Sequence, residues 1–206
     1  MNTLLQIKSS IFSDGGQSSL LADRYVAAWR AANPDGRVIV RDLARQPVPH
    51  LDAARFGAFL AKPAERSAEQ HDVIAYSDTL IDEVRNADVI VLGLPMYNFG
   101  VPSGLKAYFD HIARAGVTFS YTATGPKGLL TGKRALVFAM RGGLHAGTAS
   151  DTQTGFIRTF LGFLGIDDVE FVYAEGLAVS EEQRNSALAQ AHATIEDLAG
   201  LETVAA

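Results

Sequence analysis

No cysteine occurs among the 206 residues, so disulfides, thiolate metal centres, iron–sulfur clusters and a cysteine nucleophile are all excluded. A chain without thiols suits a reducing compartment, and cytoplasmic residence is the expectation. Positive charge is also scarce. Lys and Arg number 18 against 23 Asp and Glu, a formal charge of −5, which offers no field to recruit phosphate backbones or anionic lipid. Neither nucleic acid nor a membrane surface is expected as a partner. No apolar run approaches the ~18 residues of a membrane span. The short apolar stretch Thr3–Ile7 follows Met1 without a charged leader or a cleavage-like site, so no removable leader is expected.

Several catalytic signatures are missing as well. Without G-x-G-x-x-G a pyrophosphate-binding dinucleotide site is disfavoured, and Asp42 reads as a cap or turn residue rather than a ribose ligand. Without G-x-x-x-x-G-K-[ST] the lysine and magnesium hydroxyl of nucleoside triphosphate chemistry are absent. The five His, at 50, 71, 111, 145 and 192, show no HExxH or paired spacing, so no metal site is expected, and no G-x-S-x-G elbow marks a serine hydrolase.

What is present is alternation. Five β-rich runs, Thr3–Lys8, Arg37–Asp42, Asp88–Leu94, Arg134–Met140 and Asp168–Ala174, are separated by amphipathic stretches at Ser19–Ala32, Ala68–Asn86, Ser103–Ala115, Thr152–Leu164 and Glu181–Leu201. At roughly 150 residues per domain, this predicts a single domain over 1–206, an α/β doubly wound five-stranded parallel sheet of order 2-1-3-4-5 with helices on both faces. Insertions are expected near 43–63, with a short helix at Asp52–Leu60, and near 118–131, as a hairpin or flap. The strand order reverses between the first and third strands, so a ligand belongs beyond their carboxyl ends.

Three loops lie there. The first, SSIFSDGGQSSL, opens a helix with Ser9, Ser10, Ser13, Ser18 and Ser19 around Gly15 and Gly16. Hydroxyls, accessible backbone and a helix N-terminus suit a terminal phosphate, although a turn followed by an N-cap would use the same residues. The second, PMYNFGVP, holds Met96, Tyr97, Asn98 and Phe99 between Pro95 and Pro102, an apolar platform with one amide that fits a planar heterocycle or fills core beside the sheet. In the third, MRGGLHAG, Gly142 and Gly143 allow close backbone approach behind Met140, while Arg141 and His145 offer positive charge or hydrogen bonds at a ligand's edge. A phosphate loop and a ring platform without a reactive nucleophile point to a cofactor that brings its own chemistry.

PMYNFGVPSGLKAYFD at 95–110, RAGVTFSYTATGPKGL at 114–129, FLGFLGI at 160–166 and YAEGLA at 173–178 resemble the FMN-dependent NADH azoreductase and quinone reductase family of flavodoxin-like flavoproteins. The resemblance covers nearly all of residues 3–180. It implies a flavodoxin-like fold and a homodimer with one FMN per subunit. NADH or NADPH is the implied donor, and quinones and azo compounds are reduced by two-electron ping-pong hydride transfer. Carried over by motif, phosphate and ribityl contacts fall on Ser10, Gly16, Gln17 and Ser18, and ring contacts on Met96–Phe99 and Met140–Gly143. Tyr121 and Phe163 match positions that line the acceptor pocket, with Asn98 and His145 beside it. Two departures stand out: Gly16 occupies a place where relatives often carry a hydroxyl, and Met140 one that is often Ser or Thr. A flavodoxin-like single-electron carrier is the competing reading. A flavin-free nicotinamide-binding regulator is a third, disfavoured by the missing glycine fingerprint.

For assembly, Phe56, Phe59, Tyr108, Phe109, Phe119 and Tyr121 are expected to supply apolar surface for a two-fold interface that completes both sites.

Overall fold

Aliphatic runs with no polar break are stable only where both faces of a strand are covered, as inside a parallel sheet. The computed structural model describes the backbone of residues 2–205 and the side chains of residues 2–199; Met1 and Ala206 lie outside the described residues. In chain order the elements begin β1 (Thr3–Lys8), α1 (Gln17–Ala32), β2 (Arg37–Asp42), α2 (Ala53–Leu60), α3 (Ala68–Asn86), β3 (Val89–Pro95) and α4 (Ser103–Ile112). They continue with β4 (Phe119–Thr122), β5 (Gly125–Gly128), β6 (Arg134–Met140), α5 (Thr152–Leu164), β7 (Asp168–Ala174) and α6 (Glu181–Ala205).

The sheet runs β2-β1-β3-β6-β7 with every pair parallel. Numbering its five strands alone gives the expected order 2-1-3-4-5. Alternate residues of each strand feed two cores. Leu5, Ile90 and Val137 pack with Leu80 and Ile81 of α3, Leu105 and Phe109 of α4 and Ile157 of α5. Leu4, Val91 and Phe138 pack with Leu21, Tyr25 and Trp29 of α1 and with Ala191 and Ile195 of α6. Truncating a fully buried side chain such as Phe138 to alanine costs about 3–5 kcal/mol. No described helix is long and apolar enough to cross a membrane.

The 43–63 segment holds α2, capped by Asp52, whose carboxylate accepts from the Arg55 amide at 2.8 Å. The 118–131 segment forms the antiparallel hairpin β4–β5. This hairpin is seated on the end of α5 by close backbone contact. A Cβ on Gly128 would fall 2.1 Å from the Gly165 nitrogen, Gly165 takes a left-handed φ of 97°, and the Leu130 amide donates to the Leu164 carbonyl at 2.8 Å.

Of the aromatics expected to cover a partner, Tyr108, Phe109 and Phe119 are buried in the core instead, and Phe59 is half-buried against His111. α4 and β4 turn Phe109 and Phe119 toward α5, where Phe109 stacks on Phe160 with ring centroids 4.1 Å apart and Phe119 meets Phe163 at 4.3 Å, while Tyr108 lies near Tyr76 and Glu83 of α3. Phe56 and Tyr121 are exposed.

Candidate functional site

The carboxyl ends of β1, β3 and β6 carry the three loops to one edge of the sheet. After β1 the chain makes a tight 3-10 turn, Ser13–Gly15, and enters α1 through Gly16. Glycine lacks a side chain to cap the helix, so the first amides of α1 keep their donors and their share of the positive dipole end. Gly16 is required by contact as well, since a Cβ there would stand 2.2 Å from Ser10 Oγ. Ser10 Oγ itself lies 3.2 Å from Tyr97 Oη and accepts from the Phe12 amide, linking the first loop to the second.

Beside this cradle Ser18 is 1% exposed and Ser19 0%, and neither hydroxyl has a hydrogen-bond partner. A buried unsatisfied hydroxyl costs about 1–3 kcal/mol, and native proteins rarely leave two adjacent ones. Their position at the helix start suits an anion that accepts from hydroxyl and amide together. A phosphate monoester fits this donor set.

The surrounding charges are already committed. Burial works against the Lys8 ammonium, but hydrogen bonds to Asp14 at 2.7 Å and Asp23 at 3.0 Å outweigh it and hold its pKa above the ordinary lysine value. The Lys8 hydrogen bond in turn lowers Asp14. Asp42 serves as the turn residue its motif context suggested: it accepts from the Ala44 and Arg45 amides at 2.9 and 3.2 Å and from the Ser13 hydroxyl. Ser9 is structural too, donating to the Gly93 carbonyl at 2.6 Å.

In the second loop, Tyr97 and Gly100 exchange backbone hydrogen bonds across a two-residue turn. Its central residues, Asn98 and Phe99, have φ of 48° and 61°. Left-handed backbone is uncommon outside glycine and is costly for a bulky residue, and such strain gathers at ligand sites. Met96 and Tyr97 are half-buried, whereas Phe99 stands 62% exposed.

The third loop follows Met140, whose carbonyl accepts from the Met96 amide at 3.0 Å. His145 folds back over Gly143, where a Cβ would lie 2.8 Å from its Nε2. Its Nδ1 pairs with Ser150 Oγ at 2.8 Å, and its ring meets Phe99 edge-on at 5.7 Å.

Arg141 departs from the expected role. Its side chain is fully buried and committed to internal partners, with Nη1 donating to Glu175 at 3.0 Å and Nη2 to Asp151 at 2.8 Å, and the guanidinium lies over the Tyr173 ring. Only its backbone belongs to the loop. Burial pushes the Asp151 carboxyl upward, but the Thr154 amide and Arg141 outweigh it and hold the pKa below the ordinary value.

Tyr121 and Phe163 come together, both edging Phe119, but not at this edge of the sheet. α5 starts at the site, where the Thr152 hydroxyl donates to the Phe99 carbonyl. Phe163 lies eleven residues further along the helix, about 16 Å at 1.5 Å per residue. Thr152 and Gln153, which no motif announces, and Glu175 of the YAEGLA stretch also belong to the site's frame. Among the described residues no cluster of three metal-ligating side chains occurs.

An open α/β sheet of this order, with a phosphate cradle at the switch point and an aromatic turn next door, defines a mononucleotide-binding protein of the flavodoxin type. The model of the flavodoxin-like fold family matches residues 2–199, and the chain belongs to that family. Among its curated relatives, the FMN-dependent NADH:quinone oxidoreductase of Cellvibrio japonicus (strain Ueda107) is 55% identical over 196 residues, 95% of this chain and 98% of the relative. The protein of that name from Burkholderia pseudomallei (strain 1710b) is 56% identical over 195 residues, again 95% and 98%. Among solved structures, an FMN-dependent NADH-azoreductase from Bacillus anthracis str. Ames Ancestor in complex with FMN is similar with a TM-score of 0.88 at 27% identity, over 97% of this chain and 98% of its own.

Proposed function

We propose that this protein is an FMN-dependent oxidoreductase that takes electrons from NADH or NADPH, NADH being the donor in its relatives' names, and reduces quinones and azo compounds. The observation that carries this reading is the pair of buried, unpartnered hydroxyls of Ser18 and Ser19 at an uncapped helix start beyond the sheet's switch point. When bound, FMN supplies the two-electron chemistry. The protein's part is to hold and shield it. Ser10, Ser18 and the Gly16–Gln17 backbone bind the phosphate. Pro95, Met96, Tyr97, Asn98 and Phe99 with Met140–Gly143 would hold the ring, and the peptide N–H groups near Asn98 and Gly142–Gly143 would favour negative charge on it.

The working form is a homodimer with sites shared between subunits, in the cytoplasm, which suits a chain without cysteine. Two observations support the shared site. An apolar hollow of about 500 Å³ opens beside the second loop between α4 and α5, lined by Phe99, Val101, Ala107 and Phe156. The acceptor-pocket aromatics Tyr121 and Phe163 stand a helix length away from their own subunit's site, so a two-fold partner is needed to bring them to one, where they exclude water next to Asn98 and His145. The competing carrier role lacks support from relatives named for NADH:quinone and azo reduction.

The test is anaerobic turnover of FMN-loaded protein with NADH and a panel of quinones and azo dyes, paired with sedimentation at micromolar concentration. Steady consumption of NADH by a species of twice the chain mass is expected. Protein that takes up no FMN overturns the reading, a bound flavin that never turns over NADH favours the carrier, and a fully active species near 22.0 kDa overturns the shared site.

A further inference from the structure

Gln153 carries no motif, lies near the start of α5 and is 0% exposed. Its amide is nevertheless fully used. Nε2 donates to the Pro95 carbonyl at 2.9 Å and to the Gly100 carbonyl at 3.0 Å, while Oε1 accepts from Arg141 Nε at 3.3 Å. Pro95 and Gly100 bracket the segment in which Asn98 and Phe99 are held in left-handed backbone. One side chain therefore grips both ends of the strained turn from outside. The two backbone bonds between Tyr97 and Gly100 close the turn but do not fix where it stands relative to the sheet.

The grip extends further. Arg141, held by Gln153, donates to Glu175, and the same carboxylate accepts from the His145 amide at 3.0 Å and the Ala146 amide at 2.9 Å. A continuous hydrogen-bonded path, buried at Gln153 and Arg141 and partly buried at Glu175, thus runs from the Gly100 carbonyl to the third loop. Fully satisfied buried networks of this kind rigidify what they join.

We infer that Gln153 is the positioning residue of the ring-binding side: its amide sets the second loop against the third, and through them the affinity and redox potential of the bound ring. The inference rests on the FMN reading above. The choice of an amide follows from the geometry. Only an NH₂ group donates twice to two carbonyls while its oxygen accepts from an arginine. A carboxylate keeps the arginine contact and turns an acceptor toward two acceptors.

Two variants separate these roles. Gln153→Glu retains a partner for Arg141 and loses the grip on Pro95 and Gly100, whereas Gln153→Met removes both at similar volume. Three quantities are read: FMN affinity by titration of the apo protein, midpoint potential of bound FMN, and hydrogen exchange of the Tyr97 and Gly100 amides without flavin. In both variants FMN affinity is expected to fall at least tenfold and amide exchange to rise at least tenfold. The potential is expected to drop by about 30 mV, the shift of a two-electron couple for a tenfold change in the ratio of affinities for the two redox forms.

Folded variants with wild-type affinity, potential and exchange overturn the inference. Two variants that fail to fold also overturn it, assigning Gln153 to the core rather than to the site. If the wild type itself takes up no FMN, the functional reading fails separately, and the exchange of the apo amides still decides whether Gln153 positions the turn.

Discussion

The two ends of the site are built in opposite ways. At the phosphate end the protein leaves the hydroxyls of Ser18 and Ser19 and the first amides of α1 without partners. At the ring end Gln153, Arg141, Asp151 and Glu175 satisfy one another and the loop backbone. The first half keeps unpaired donors, whereas the second pairs its polar groups within the chain. Substitutions should therefore act with opposite sign on the empty protein at the two ends, and that contrast is open to measurement.

The largest effect belongs to the ring end. Arg141→Leu strands Asp151 and Glu175 in the interior, and breaking a buried ion pair by removing one partner costs about 3–5 kcal/mol. Urea unfolding of the apo protein is expected to show that loss. A loss below about 1 kcal/mol would mean that the carboxylates find water and the network is no clamp.

Next is the double substitution Ser10→Ala with Ser18→Ala. Each hydroxyl lost from a charged acceptor removes about 1.5–3 kcal/mol, so FMN affinity is expected to drop at least tenfold. An unchanged titration moves the phosphate elsewhere.

The apo protein should respond to Ser18→Ala in the other direction. Removing a buried hydroxyl that has no partner relieves its desolvation cost, so this variant, and Ser19→Ala likewise, is expected to gain about 1 kcal/mol without flavin. Destabilisation of both apo variants in thermal melts would remove the asymmetry between the two ends.

The smallest effect lies outside both ends and serves as their control. His111 is fully buried on α4, with Nδ1 3.0 Å from the Ala107 carbonyl and its ring edge-on to Tyr76. Burial lowers its pKa. The unfolded chain binds this proton below about pH 6.5 while the folded protein does not, so the contribution to stability is full above that pH and falls as pH drops toward the folded value. The slope is at most about 1.4 kcal/mol per pH unit. His111→Leu should flatten the profile between pH 5 and 6.5 and leave FMN affinity untouched. An identical slope in the variant would falsify the assignment.

Much of the architecture was legible because it depends on local pattern. The uninterrupted aliphatic runs marked the sheet, and their spacing marked which strands needed helices between them. Boundaries slipped where a distant group decides them. α4 stops at Ile112 rather than continuing to Ala115 because Thr118 Oγ1 donates to the Ile112 carbonyl at 2.6 Å and accepts from the Arg114 amide at 2.9 Å. α1 begins at Gln17, two residues before the expected Ser19, because Gly16 rather than a serine stands at the cap.

The loop proposed for the phosphate is one contiguous stretch, in which hydroxyls, glycine and helix start all sit together. The ring side is not contiguous. Arg141 looked like a cation for a ligand because its partners, Asp151 and Glu175, are ten and thirty-four residues away. Gln153 looked like any polar residue in the first turn of a helix. A buried network is a property of the assembled fold, and no spacing within one segment announces it.

The crossing of Gly128 and Gly165 leaves no room for a side chain on Gly128, and on Gly165 it adds a tight 3.1 Å contact to a left-handed backbone. Hairpin β4–β5 and the last turn of α5 must travel as one rigid piece, carrying Tyr121, Phe119 and Phe163 with them. The three rings therefore move with the end of α5, and the hairpin has no hinge of its own on which to swing as a flap. Grafting the hairpin of another protein onto this one would require exchanging residues 118–130 and 160–166 as a unit, because a hairpin grafted alone meets the foreign helix end backbone against backbone.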